Sequence, residues 1–149
     1  MVSNSLVQIA LPKGRMFEQL RKLLQDAGCP ILTRARDYRI QLALPGFSAK
    51  LLKPQGIVEM LGAARRDVGF AGADWVSELN ADLVTLLDTE LDPVDIVAAA
   101  PESLLVDGQL PNRPLVVASE YAELTKRWML QTNLEGRFVR SWGATEVLP

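Results

Sequence analysis

Lys13-Gly14-Arg15 sets two cations around a glycine, directly after a short apolar run, Leu6 to Leu11, that ends in Pro12. A glycine turn that opens a helix presents unbonded backbone N–H groups and the positive end of the helix dipole, which together suit a phosphate. Arginine adds a planar fork able to grip two oxygens at once. The same tripeptide would serve equally as a solvated charged loop. Arg34, Arg36, Asp37 and Arg39 follow within six positions. They read either as a cationic wall with Arg39 opening a strand, or as a surface loop. Asp67-Val68-Gly69-Phe70-Ala71-Gly72-Ala73-Asp74 carries two glycines and two carboxylates. Glycines there let a nucleotide approach the backbone, and Asp74 could hydrogen-bond a base or ribose. Alternatively Gly69 relieves packing, Gly72 makes a turn and Asp74 caps a helix. Neither the Rossmann nor the Walker glycine spacing is met. Tyr121, Thr125 and Glu146 form a last group, in which Tyr121 suits core packing as well as a ligand.

The elements that must position these groups follow from hydrophobic periodicity. Leu6 to Leu11 predicts a strand; Phe17, Leu20, Leu23, Leu24 and Ala27 then recur at helical spacing, with Gly28 as a stop. Tyr38 to Leu44 and Ala49 to Leu52 predict antiparallel strands around a Pro45-Gly46 turn. Pro54 suits a first helical turn, with Ile57, Met60, Leu61 and Ala64 as the apolar stripe and Arg65-Arg66-Asp67 closing the helix. Val68 to Ala71 predicts a strand and Trp75 to Leu79 a short helix. Leu83 to Leu87 and Val94 to Ala100 predict further strands, the second apolar enough to lie inside a sheet. Gly108 to Pro114 reads as a loop and Leu115 to Ala118 as a strand. Ser119 is expected to cap a helix bearing Tyr121, Leu124 and Trp128, and Phe138 to Trp142 is another strand. Repeated strand–loop–helix order implies an α/β fold with parallel sheets and ligands at the carboxyl ends of strands. The expected lobe boundary lies near Pro93: residues 1–93 form a first α/β lobe and 94–149 the start of a second. Gly143 to Pro149 reads as the opening of another loop and helix, which implies an incomplete chain.

Composition narrows the chemistry. The chain has 149 residues, 48% of them hydrophobic, as expected of a globular α/β protein. It contains no histidine and only Cys29, which excludes an intrachain disulfide, a histidine zinc site and Ser-His or Cys-His nucleophilic catalysis within it. A net charge of −2 without a basic run gives no support for general nucleic-acid binding. No signal-peptide core or membrane-length apolar run is evident, so the expected compartment is the cytoplasm.

Six segments, taken in order, resemble the ATP phosphoribosyltransferases, the family that opens histidine biosynthesis. They are Ile9-Ala10-Leu11-Pro12-Lys13-Gly14-Arg15, the Arg39 strand, and Lys53-Pro54-Gln55 leading into the Asp67–Asp74 segment. Then come Val97-Ala98-Ala99-Ala100-Pro101-Glu102, Val117-Ala118-Ser119-Glu120-Tyr121 with Leu124-Thr125, and Gly143-Ala144-Thr145-Glu146. The resemblance implies two lobes like the type II periplasmic-binding-protein fold with the active site in the cleft between them. It also implies ATP and phosphoribosyl pyrophosphate as substrates, and Mg²⁺ as cofactor with no dedicated protein metal site. Arg15 and Arg39 would contact phosphates and stabilise the leaving group, assisted by Lys13 and Gly14. Gly72, Asp74 and Tyr121 would line the nucleotide end, and Glu146 the mouth of the second-lobe site. A homodimer or larger oligomer is implied, and for the short form of the family a regulatory partner resembling histidyl-tRNA synthetase.

Two departures from the family pattern stand out. Ala73 occupies a position where many relatives carry lysine, and the loop expected to hold the ribose 5-phosphate would lie beyond Pro149. The alternative function is a small-anion or amino-acid binding module of the same lobe architecture, without catalysis.

Overall fold

Strand β1 (Val7–Pro12) is the centre of a four-stranded sheet, with β3 (Phe47–Leu52) parallel on one edge and β4 (Val68–Gly69) parallel on the other. The short β2 (Arg39–Ile40) pairs antiparallel with the outer edge of β3. The computed structural model describes residues 6–32 and 39–143, which divide into two compact units, Met1–Pro93 and Val94–Pro149. Arg34, Arg36, Asp37 and Glu146 lie outside the described residues, and Arg39 is described by its backbone alone.

Both faces of the first unit's sheet are covered. Val7, Ile9 and Leu11 alternate onto one face with Phe47, Ala49 and Leu51 beside them, as parallel register requires. Helix α1 (Arg15–Asp26) lays Phe17, Leu20, Leu23 and Leu24 on that face. Leu11 and Leu20 are fully buried there, each contributing roughly 1.5–3 kcal/mol of transfer free energy. Ala27, expected on the stripe, falls just past the helix and is exposed.

The opposite face receives α2 (Pro54–Gly62), with Pro54 in the first turn and Ile57 and Val58 buried. Val58 was absent from the predicted stripe because α2 packs tightly enough to bury a neighbour of Ile57 as well. Small residues make that approach possible. Ala10 is fully buried, and a Cβ at Gly69 would stand 2.7 Å from the Ile57 Cγ2 and 3.0 Å from the Leu61 Cδ1. The expected closure of α2 by Arg65-Arg66-Asp67 is corrected: the helix ends at Gly62, and Ala64 turns the chain at φ 52°. Asp67 already belongs to the sheet, its N–H donating to the Gln8 carbonyl at 2.9 Å.

The predicted strands at Leu83–Leu87 and Val94–Ala100 are also corrected: neither is a strand. Val84 and Val97 are 85% and 76% exposed. A strand is a paired state, and apolar character predicts burial without supplying a ladder partner.

In the second unit β5 (Leu115–Ser119) and β6 (Gly136–Arg140) run parallel, joined by α4 (Ala122–Gln131). Asp107 and Gly108, both at positive φ, make a two-residue turn that closes the Val106–Gln109 bridge. Tyr121, not Ser119, is the N-cap of α4; the Ser119 hydroxyl accepts the Tyr121 N–H at 3.0 Å. Among the described residues no helix is long and apolar enough to cross a membrane.

Two substitutions test this packing. Gly69→Val should cost about 1–3 kcal/mol in urea unfolding, because its branches must displace Ile57 and Leu61. Gly14→Ala should cost a similar amount, roughly 1–3 kcal/mol, for another reason. Open space surrounds residue 14, but its φ of 87° and ψ of −148° are strained for any side chain.

Candidate functional site

The ladder between β1 and β4 ends before the last residues of β1, and Pro12 accounts for it. The β1–β4 ladder runs as far as the Phe70 N–H, which donates to the Ala10 carbonyl at 3.1 Å. The next donor in register would be the nitrogen of residue 12, and proline has no N–H to give. On the other edge β1 stays paired one residue further, through the Lys13 N–H to the Leu52 carbonyl at 2.8 Å. The parallel strands stand in the order β3-β1-β4, so the chain leaves β1 toward one edge and returns from β3 across it to the other. In open α/β sheets a ligand crevice lies at the carboxyl ends where strand order reverses in this way.

Lys13, Gly14 and Arg15 follow the carboxyl end of β1, and Gly72 and Asp74 follow that of β4. Gly14 is the N-cap of α1, where no side chain caps the helix, and the Phe17 N–H donates to its carbonyl at 3.0 Å. Gly72 is the N-cap of the short α3 (Ala73–Glu78). A Cβ at Gly72 would overlap the Asp74 carboxylate, which folds back over that backbone. Glycine at 72 is thus the condition for the observed placement of Asp74.

Arg15 shows a contact that sequence reasoning missed. Its Nε donates to the Asp92 carboxylate, at 2.9 Å to Oδ1 and 3.0 Å to Oδ2. The Arg15 side chain is 71% exposed, that of Asp92 only 16%. The Gln19 Oε1, one turn along α1, accepts the Asp92 N–H at 3.0 Å. The residues are 77 positions apart, and no local pattern in either segment signals the pairing. Among the described residues the two Nη groups of Arg15, four of its five donors, make no hydrogen bond.

Of the remaining predicted residues, Arg39 stands on the first unit's sheet and Tyr121 in the second unit. Arg39 pairs in register with Lys50, which in turn lies beside Ala10. Its backbone is thus two strand spacings, about 10 Å, from β1 and level with Ala10 rather than with the strand ends. Tyr121 belongs to the second unit, at the carboxyl end of β5, where the Thr125 N–H donates to its carbonyl at 3.1 Å. A shallow hollow lined by Leu6, Ile40, Leu44 and Phe47 opens at the amino ends of β1 and β3, away from the cationic loop. No group of three or more Cys, Asp or Glu arranged for a metal occurs among the described residues.

Known proteins resemble this chain over nearly its whole length. The chain is 30% identical over 152 residues to the ATP phosphoribosyltransferase of Prosthecochloris aestuarii, covering 99% of this chain and 52% of that protein. It is 28% identical over 153 residues to the enzyme of the same name from Thermodesulfovibrio yellowstonii, covering 99% of this chain and 52% of that protein. The chain therefore spans about half the length of these curated relatives. Among solved structures, the ATP phosphoribosyl transferase (HisG:HisZ) complex from Thermotoga maritima shares the α/β fold. The TM-score is 0.70 at 19% identity, over 95% of this chain and 67% of that one. The family described as HisG: ATP phosphoribosyltransferase matches residues 53–149, and the chain belongs to it.

Proposed function

We propose that this chain is part of an enzyme that joins ATP and phosphoribosyl pyrophosphate, giving phosphoribosyl-ATP and pyrophosphate, the first step of histidine biosynthesis. The observation that carries the reading is Lys13-Gly14-Arg15 at the carboxyl end of β1, where the strand order reverses, in a member of a family named for this transfer. The relatives' names favour the transferase over a non-catalytic binding module.

In this reaction a ring nitrogen of adenine attacks the anomeric carbon of the ribose. A C–N bond forms as the C–O bond to pyrophosphate breaks, with inversion. The transition state carries oxocarbenium character on the sugar and growing negative charge on the leaving pyrophosphate. Such a displacement needs orientation and charge stabilisation rather than a protein nucleophile. A chain without histidine is compatible with it.

The Nη groups of Arg15 would donate to pyrophosphate oxygens, with Lys13 beside them and the N-terminus of α1 adding its dipole. Arg39 would supply a second cation to the same charge. Gly72 and Asp74 would receive the nucleotide together with Tyr121, and Glu146 would lie at the second-lobe end of the site. Magnesium is usually carried on substrate phosphates with few protein ligands. Bound there, it would neutralise charge on the departing pyrophosphate.

The same reading assigns residues 1–93 and 94–149 to separate lobes resembling the type II periplasmic-binding-protein fold, in a cytoplasmic homo-oligomer. A regulatory subunit resembling histidyl-tRNA synthetase is the proposed partner; the Thermotoga maritima relative is itself a HisG:HisZ complex.

The test is direct. The intact, partnered protein, given ATP, phosphoribosyl pyrophosphate, Mg²⁺ and pyrophosphatase, should accumulate phosphoribosyl-ATP. Arg15→Ala and Arg39→Ala should each lower turnover about 10²- to 10³-fold, as loss of a charge-stabilising donor does. Absence of product from the partnered wild type would overturn the enzyme reading, and unchanged turnover in either variant would remove that arginine from the mechanism.

A further inference from the structure

We propose that Asp92 is a positioning residue: it holds the Arg15 guanidinium by its Nε and leaves the Nη edge turned outward for the pyrophosphate. The inference rests on the reading of Arg15 as an anion contact and adds to it the residue that orients it.

Asp92 is the fixed member of the pair and Arg15 the mobile one. The aspartate side chain is largely covered, its N–H is bonded to Gln19, and the preceding Leu91 packs into the α1-side core. Its backbone sits at φ 50°, a left-handed conformation that Asp and Asn tolerate better than most residues. Arg15 and Gln19 stand one turn apart on the same helix, so both ends of Asp92 are held from α1. An exposed arginine carries large rotamer freedom that an anion would otherwise have to freeze. A carboxylate on Nε freezes it beforehand, and both of its oxygens engage that one donor. The arrangement therefore gives up one N–H and presents four.

Asp92→Gly is the informative variant, because glycine accepts φ 50° without strain and removes only the acceptor. Asp92→Asn keeps a neutral acceptor and serves as the rescue. Two quantities are read on the chain itself: hydrogen exchange of the Arg15 Nε–H by NMR, and affinity for inorganic pyrophosphate by calorimetry. The Nε–H should be protected in the wild type, exchange rapidly in Asp92→Gly and recover partly in Asp92→Asn. Pyrophosphate should bind about two- to tenfold more weakly to Asp92→Gly, the range expected for re-ordering one rotamer-rich side chain. In an Arg15→Ala background Asp92→Gly should change nothing further. Unaltered Nε–H protection, or equal or tighter pyrophosphate binding in Asp92→Gly, would overturn the positioning role while leaving Arg15 as an anion contact. Wild-type pyrophosphate affinity in Arg15→Ala would instead sink the anion contact and the proposal together.

Discussion

A strand can be hydrogen-bonded on both edges only where each residue has an N–H to give, and β1 obeys that limit as far as Ala10. At Pro12 the donor toward β4 is gone, while Lys13 keeps the ladder to β3. The central strand therefore stays anchored on one side and parts on the other. The helix that follows begins at this parting, with Gly14 in a conformation that only glycine takes easily. The parting of the strands, the turn and the helix N-terminus follow from three consecutive residues, Pro12, Lys13 and Gly14. The rest of the first unit secures them: α1 closes one face of the sheet over Leu11, and α2 closes the other over Ala10 and Gly69.

Much of this was legible in the sequence because it is local. The helical spacing of Phe17, Leu20 and Leu24, the proline opening α2 and the Pro45-Gly46 turn each express a preference within a few residues. The parallel order followed from the alternation of strands and helices. What was not legible depends on partners. The runs 83–87 and 94–100 have strand composition, yet a strand exists only against another strand. Val58 is buried by how closely α2 approaches the sheet, which depends on Ala10 and Gly69 elsewhere in the chain. Asp92 reads as one acidic residue among several, because nothing near it in sequence indicates that Arg15 is its neighbour.

The charge arrangement at the cationic loop is more restrained than its sequence implies. Lys13 and Arg15 stand at a helix N-terminus in a chain of net charge −2, so attraction for an anion must be short-ranged. Asp92 offsets part of even that local charge. A group that only concentrated anions would work best without the aspartate. A group that must present a fixed edge to a leaving pyrophosphate benefits from it, since orientation established before binding need not be established during the reaction.

The chain has no histidine, which is compatible with a reaction of that kind. In the proposed displacement a neutral ring nitrogen expels a good leaving group, so proton transfer is a minor demand and geometry matters more than a tuned acid or base. The described site contains geometric devices of that kind. Pro12 ends the ladder to β4, Gly14 and Gly72 let backbone and Asp74 come close, and Asp92 orients a cation. Asp92 reaches the site through the pinned segment between Asp88 and Pro93, where Glu90 and Asp92 both take positive φ and Leu91 enters the core between them. Alternate residues of that segment thus serve packing and charge, so a shift of Leu91 in the core would be transmitted to the Arg15 guanidinium. Orientation of the cation is in this way tied to the packing of α1 against the sheet, the same contact that holds Gly14 at the end of β1.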